Sequence, residues 1–146
     1  MAADAYADSS FLVSVYRADP NHQAANEFLA GHAFTLAFNP LHRIEVRNAL
    51  RKAVAVGEYS RADCIFAFRQ IENDLVEGFL IPMQINWTDT FRRADELSEQ
   101  HASQAGQRTI DLLHVAAALE SDVKIFLSFD IRQRKLAAAA GLTVKP

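Results

Sequence analysis

The chain has 146 residues, 50% hydrophobic and 23% charged, the balance of one compact domain with a substantial core rather than of a disordered or fibrous chain. Fifteen Lys and Arg against 18 Asp and Glu leave a formal net charge of −3, which excludes a general polyanion binder and confines any nucleic-acid contact to a local basic patch. The single cysteine, Cys64, excludes an intrachain disulfide and a thiolate zinc site and implies a reducing, cytoplasmic setting; no apolar run is long enough to span a bilayer, and the opening MAADAYADSS has neither the basic nor the apolar region of a secretory leader.

AYA at 5 to 7 is predicted as a first, weak strand ending at Asp8, and a helix follows whose apolar residues begin at Phe11. Asp8 is placed to accept the first free amides of that helix as its N-cap. AFTLAF (33 to 38) is a second strand. A helix then runs from Pro40 to Val56, with Glu45 beside the stripe of Val46, Leu50 and Val54. An acid on that inward shoulder is less comfortable than one facing solvent, unless it pairs with Arg43 or another arginine nearby. Arg43, Arg47 and Arg51 recur every fourth residue of the helix with Lys52 beside them. Like charges at this spacing repel mildly, so an anionic partner, substrate phosphate or an acidic protein segment, is expected there, against the simpler alternative of a solvated face.

Ser60 and Asp63 form a capping box opening a further helix, in which Cys64, Phe68, Ile71 and Leu75 share one stripe. With only Gly57, Glu58 and Tyr59 between, the two helices are predicted to form an antiparallel hairpin. GFLIPM (78 to 83) is the next strand, and Pro82, lacking an N–H, puts it at a sheet edge or its own end. QRTIDLLHVAAALESD supplies Asp111 in the first turn of a largely buried helix, where the macrodipole favours an acid. Arg108, three residues earlier, is a candidate for phosphate contact; His114 reads as a packed helix residue. KIFLSF (124 to 129) then runs without a turn residue into Asp130, which leaves a carboxylate against apolar neighbours unless it caps the helix of IRQRKLAAAAG; LTV (142 to 144) is the last strand.

Gly31, Gly57, Gly78, Gly106 and Gly141 each close a periodic stretch, so no glycine remains for a phosphate-cradling loop, and dinucleotide-binding and P-loop readings fall away. Strands alternating with helices favour an α/β fold around a mainly parallel sheet. In such a sheet ligands bind outside the carboxyl ends of the strands. Asp8 and Asp130 follow strands and Asp111 opens the helix leading into the strand that bears Asp130, so these three acids are expected to be able to converge. Like charges so close cannot all stay ionised without a cation, and an oxygen-only donor set selects Mg²⁺ or Mn²⁺.

In this order and spacing, ADSSFL, IEVRNAL, RTIDLLHVAAAL and FLSFDIRQRKLAAAAGLTV resemble the PIN domain, and within it the VapC-type toxins of bacterial toxin–antitoxin modules, over essentially the whole chain. The resemblance implies a three-layer α/β/α fold in one domain, 1 to 146. It also implies a metal-dependent endoribonuclease that is commonly a homodimer and is neutralised by a cognate antitoxin. The family's four catalytic, metal-binding acids carry over onto Asp8, Glu45, Asp111 and Asp130, and its small hydroxyl residues onto Ser10 and Ser128, which fix carboxylate or water orientation. The chain departs from the family in a first strand poor in β-branched residues and in Ser128, where Thr is common. Phosphodiester hydrolysis by a metal-activated water implies 5′-phosphate and 3′-hydroxyl ends, with Arg47 and Arg108 as the arginines on the RNA. Two other readings compete. A haloacid-dehalogenase-like phosphatase needs a second Asp where Ser10 stands, and a non-catalytic RNA- or protein-binding module needs the acids to be caps only.

Overall fold

A parallel sheet of three-residue strands forms the middle layer of the structure, a computed structural model that describes residues 2 to 101 and 106 to 146. Among the described residues the elements run β1 (Ala5–Ala7), α1 (Ser9–Tyr16), α2 (His22–His32), β2 (Leu36–Phe38), α3 (Pro40–Ala55), α4 (Arg61–Glu77), β3 (Leu80–Pro82), α5 (Trp87–His101), α6 (Thr109–Glu120), β4 (Ile125–Leu127), α7 (Ile131–Ala139) and β5 (Thr143–Lys145). The strand order is β3-β2-β1-β4-β5, with each neighbouring pair parallel. The chain thus builds outward on one side of β1, then returns to build on the other. The reversal falls between β1 and β4, the place where open α/β sheets leave a crevice.

Side-chain alternation along the strands sorts the core into two layers. Ala5 and Ala7, Leu36 and Phe38, and Leu80 face α1 to α4, packing with Phe11, Leu12, Leu29, Val46, Leu50 and Ile71. Tyr6, Ala37, Ile81 and Phe126 face the other way, against Ala94 and Leu97 of α5, Val115 and Ala116 of α6 and Leu136 of α7. Helices on both faces of one parallel sheet make the predicted α/β/α arrangement. A strand poor in β-branched residues is accommodated at the centre of the sheet, where Ala5 and Ala7 are fully buried against the layer of α1 to α4.

Arg43 reaches Glu72 while Arg51 lies over Phe68, so positions rise along α3 as they fall along α4, and the predicted hairpin is antiparallel. Ser60 caps α4 by accepting from the Asp63 amide at 2.9 Å. β3 is an edge strand, as Pro82 requires. The strands are shorter than the apolar runs that announced them, because residues such as Phe34, Phe79 and Phe129 are packed against the core from connecting segments. Gly78 ends α4 at φ 82°, donating to Asp74 O, as expected of a left-handed closing residue. Gly31 does not close its helix: it lies within α2, and Ala33 adopts the left-handed conformation at φ 51°, held by its N–H on Leu29 O. Gly106 has φ 99°, but the stretch leading to it, 102 to 105, lies outside the described residues.

Candidate functional site

The register of the two central strands sets Ala7 opposite Leu127, so the next residues, Asp8 and Ser128, emerge side by side at the carboxyl end of the sheet. The Asp8 amide donates to Leu127 O at 3.0 Å, and Ser128 Oγ donates to Asp8 Oδ2 at 2.5 Å. Asp8 Oδ1 accepts from Ser10 Oγ (2.9 Å) and from the Phe11 amide (2.8 Å), so Asp8 is indeed the N-cap of α1. It is also much more deeply enclosed than a cap needs to be, at 6% exposure. Burial pushes the Asp8 carboxyl pKa up, and the bonds from Ser128, Phe11 and Ser10 only partly offset this.

The other three acids arrive from separate elements. Asp130 caps α7, accepting from the Gln133 amide at 3.0 Å, and its own N–H donates to Ser128 Oγ at 3.0 Å, so one serine ties Asp8 to Asp130. Asp130 is exposed rather than buried, because β4 ends at Leu127 and two residues carry the chain out of the sheet. Asp111 in the first turn of α6 is gripped by a fork: Arg108 Nε donates to Oδ2 and Arg108 Nη2 to Oδ1, both at 3.2 Å. Glu45, on α3, forms no salt bridge with an arginine among the described residues. Its Oε1 accepts from Ser9 Oγ at 2.7 Å and from His114 Nε2. Burial acts to raise the Glu45 pKa, but hydrogen bonding to His114 and Ser9 outweighs it and holds the carboxyl below its ordinary range.

All four acids line one cleft of about 40 Å³ with Ser9, Ser10, His114 and a single cationic side chain, Arg108. Its volume suits an ion and a few waters rather than an organic ligand. A neighbouring hollow of about 300 Å³ shares Ser9, Ser10, Glu45 and Arg108 and runs on past Ser14 to Asn21. As posed, no group of three or more His, Cys, Asp or Glu among the described residues is set to hold one metal ion. Arg108 occupies both oxygens of Asp111, while Ser9 and His114 converge on one oxygen of Glu45. The donor set itself fits a hard divalent cation, being all oxygen, with four carboxylates facing one guanidinium.

The arginine row of α3 does not face this cleft. Arg43 pairs with Glu72, and Arg47 and Arg51 lie over the Phe68 ring with their guanidinium carbons 4.4 and 5.2 Å from its centroid. Arg47 is therefore engaged in the hairpin, and the repulsion along the row is relieved by α4. A larger cavity, about 380 Å³, lies between α3 and α4, lined by Val54, Cys64, Ile65 and Phe68 with Arg51 and Arg61, and contains no acid. The four acids gather in the small polar cleft, not in the roomier apolar one.

Ser9, Tyr6, Asn39 and His42 have no role in the sequence-based expectations, and His114 has only that of a packed helix residue. His114 is 2% exposed, as a packed residue should be, yet both its ring nitrogens are bonded, Nδ1 to Tyr6 Oη at 2.7 Å and Nε2 to Glu45. The available signal was its position three residues after Asp111, on the same side of the helix. His42 is fully buried and its pKa is lowered well below 6.5, chiefly by desolvation. A base whose folded pKa is depressed must take up a proton on unfolding, so it stabilises the fold above pH 6.5 and loses that contribution as pH falls below it. Urea denaturation between pH 6.5 and 5 is expected to show this imidazole costing about 1.4 kcal/mol per pH unit. The slope should be missing from His42→Asn, and an equal slope in that variant would refute the assignment.

No helix among the described residues is long and apolar enough to cross a membrane. No curated protein matches the chain. Several solved structures do. The fold resembles VapC20 of Mycobacterium tuberculosis, described as a sarcin-ricin loop cleaving toxin, with a TM-score of 0.70 and 16% identity over 97% of this chain and 99% of that one. It also resembles FitAcB of Neisseria gonorrhoeae (TM-score 0.65, 14% identity, 97% and 96% covered) and VapBC2 of Rickettsia felis bound to a promoter DNA fragment (0.64, 13%, 97% and 96%). At such identities the likeness is one of fold. A family description reaches further, because the PIN domain matches residues 5–139 and so spans β1 to β4, α1 to α7 and all four acids: the chain belongs to the PIN domain family.

Proposed function

We propose that this PIN domain is a Mg²⁺- or Mn²⁺-dependent endoribonuclease, the toxin of a type II toxin–antitoxin pair acting in the cytoplasm. The observation that carries the reading is the convergence of Asp8, Glu45, Asp111 and Asp130, from four elements, on one small cleft with a single guanidinium. Membership of the family and the fold shared with a toxin that cleaves the sarcin-ricin loop support it.

In this reading Asp8, Asp111 and Asp130 hold the cation and Glu45 either joins them or orients the attacking water. Ser10 and Ser128 fix the Asp8 carboxylate from two sides, and Ser128 also holds the backbone of Asp130. When bound, the divalent ion supplies charge stabilisation at the scissile phosphate and a more acidic water. Arg108, 75% exposed at its side chain, is free to exchange Asp111 for a substrate phosphate, which releases the carboxylate as it recruits RNA. Attack by water rather than the 2′-hydroxyl gives 5′-phosphate and 3′-hydroxyl products. The apolar cavity between α3 and α4, with exposed Ile65 in its lining, is where an antitoxin segment would dock; the same reading has the protein pair as a homodimer. A purely RNA-binding role for the arginine row finds less support, since those side chains are engaged with Glu72 and Phe68.

The test is incubation of purified, antitoxin-free protein with structured RNAs in Mg²⁺, in Mn²⁺ and in EDTA. Cleavage with either cation and none in EDTA is expected; cleavage that persists in EDTA overturns the metal-dependent mechanism.

A further inference from the structure

The buried polar side chains behind the cleft form a chain of hydrogen bonds whose direction is fixed at its far end by the backbone. The His42 amide donates to Asn39 Oδ1 at 3.0 Å, the reciprocal half being the Asn39 amide on His42 Nδ1 at 3.2 Å. This capping box at the start of α3 sets the Asn39 amide so that Nδ2 donates to Tyr6 Oη, 3.1 Å away. Having accepted that bond, the Tyr6 hydroxyl has its own proton to give, and the partner in reach is His114 Nδ1 at 2.7 Å. Nδ1 must therefore accept, which places the imidazole proton on Nε2, aimed at Glu45 Oε1. Ser9 Oγ lies 3.0 Å from the same Nε2 and donates to the same carboxylate oxygen.

Tyr6, Asn39 and His114 are each 2% exposed or less, and the Tyr6 ring is held between His42 and Phe126 at centroid distances of 4.6 and 5.8 Å. The links come from β1, the end of β2 and α6, so Glu45 of α3 is steered by the sheet and by the helix bearing Asp111. Both donors fall on Oε1, which leaves Oε2 without a protein donor among the described residues. A glutamate on a helix shoulder ordinarily samples many rotamers; this one is locked with one oxygen saturated.

We propose that His114, oriented by Tyr6 and Asn39, is a positioning residue that locks Glu45 so that it offers Oε2 alone to the cleft. The proposal rests on the nuclease reading for its consequence, since the locked oxygen then serves the cation or the attacking water. Its geometry does not depend on that reading.

Three variants test it: His114→Leu removes both bonds at similar volume, His114→Gln restores a side-chain N–H toward Glu45, and Tyr6→Phe removes the orienting hydroxyl. Mn²⁺ affinity is read by electron paramagnetic resonance and RNA cleavage by kcat and KM. His114→Leu should weaken Mn²⁺ binding or lower kcat by about 10 to 100-fold, with KM within about twofold, because that is the usual effect of losing a group that orients a metal-binding side chain. His114→Gln should recover most of the loss and Tyr6→Phe should fall between. A folded His114→Leu with wild-type affinity and kcat, or a His114→Gln as impaired as the leucine variant, overturns the proposal. Should the leucine variant not fold, the other two decide. Imidazole ¹⁵N spectra of the wild-type protein give an independent readout: His114 must be protonated on Nε2 and not on Nδ1, and the Nδ1–H form refutes the relay whatever the activity. A wild-type protein that neither binds Mn²⁺ nor cuts RNA, yet shows the Nε2–H form, instead refutes the nuclease reading and leaves the geometry standing.

Discussion

Asp8→Asn is expected to lower RNA cleavage by on the order of 10³-fold while leaving the cation-free protein at least as stable as the wild type. The first half follows from the charge. A bound divalent ion supplies several kcal/mol of transition-state stabilisation, and each 1.36 kcal/mol is tenfold in rate, so a site that no longer holds the ion loses about three powers of ten. The second half follows from burial. Asn is as good an N-cap as Asp, so the bond from the Phe11 amide survives. The Asp8 carboxyl has a folded pKa raised above its unfolded value near 3.8. An acid displaced in that direction favours the fold at pH below the unfolded value and loses that contribution as pH rises through the folded one. At neutral pH its charge therefore opposes folding, and Asn removes the opposition.

Thermal melts at pH 7 distinguish the two consequences. Without divalent ions the variant's midpoint should match or exceed the wild type's, and added Mn²⁺ should raise the wild-type midpoint but not the variant's, since only the wild type gains from mass action. A variant that cleaves normally, or whose midpoint drops by many degrees, would make Asp8 a structural cap and nothing else.

Phe126→Ala is expected to have the largest effect on the fold, about 3 to 5 kcal/mol by urea denaturation. Phe126 sits on β4 beside the central strand, has no exposed surface, and stacks on Tyr6 with the ring planes 11° apart. Its removal leaves a cavity between the sheet and α6, where Val115 and Ala116 are already fully buried and have little freedom to collapse inward. A loss of that size is a large share of the 5 to 15 kcal/mol typical of a domain, so the midpoint should fall by about 10 °C. A cost below about 1 kcal/mol would show that the layer repacks.

The four acids were legible in the sequence because each stands at a punctuation mark: after a strand, at a helix start, or on the inward shoulder of an amphipathic helix. Parallel topology then does the rest, since register alone puts residue 8 beside residue 128. Capping and convergence, which had looked like alternatives for Asp8 and Asp130, are both true; the same carboxylates close a helix and line the cleft. What the sequence hid was the polar layer behind them. His114 and Tyr6 stand in apolar segments, and a buried histidine whose two partners lie 69 and 108 residues away carries no local spacing to read. The arginine row misled for a related reason. Its period was visible, but Phe68 and Glu72, which absorb it, lie on a different helix whose approach only the hairpin geometry reveals. Ala33 in the left-handed conformation likewise had no mark in the sequence, since the glycine two residues earlier was the better candidate.

Pro82 has a consequence for how such molecules meet. Met83 N–H points inward to Phe38 O, so by alternation the outward donors of β3 belong to residues 80 and 82, and proline removes one of the two. A foreign strand laid along that border would find its rungs interrupted almost at once, which discourages runaway fibre-like stacking. On that side of the sheet, recognition between protein molecules is left to helical surfaces, where shape and side-chain identity, rather than generic backbone pairing, decide who is admitted.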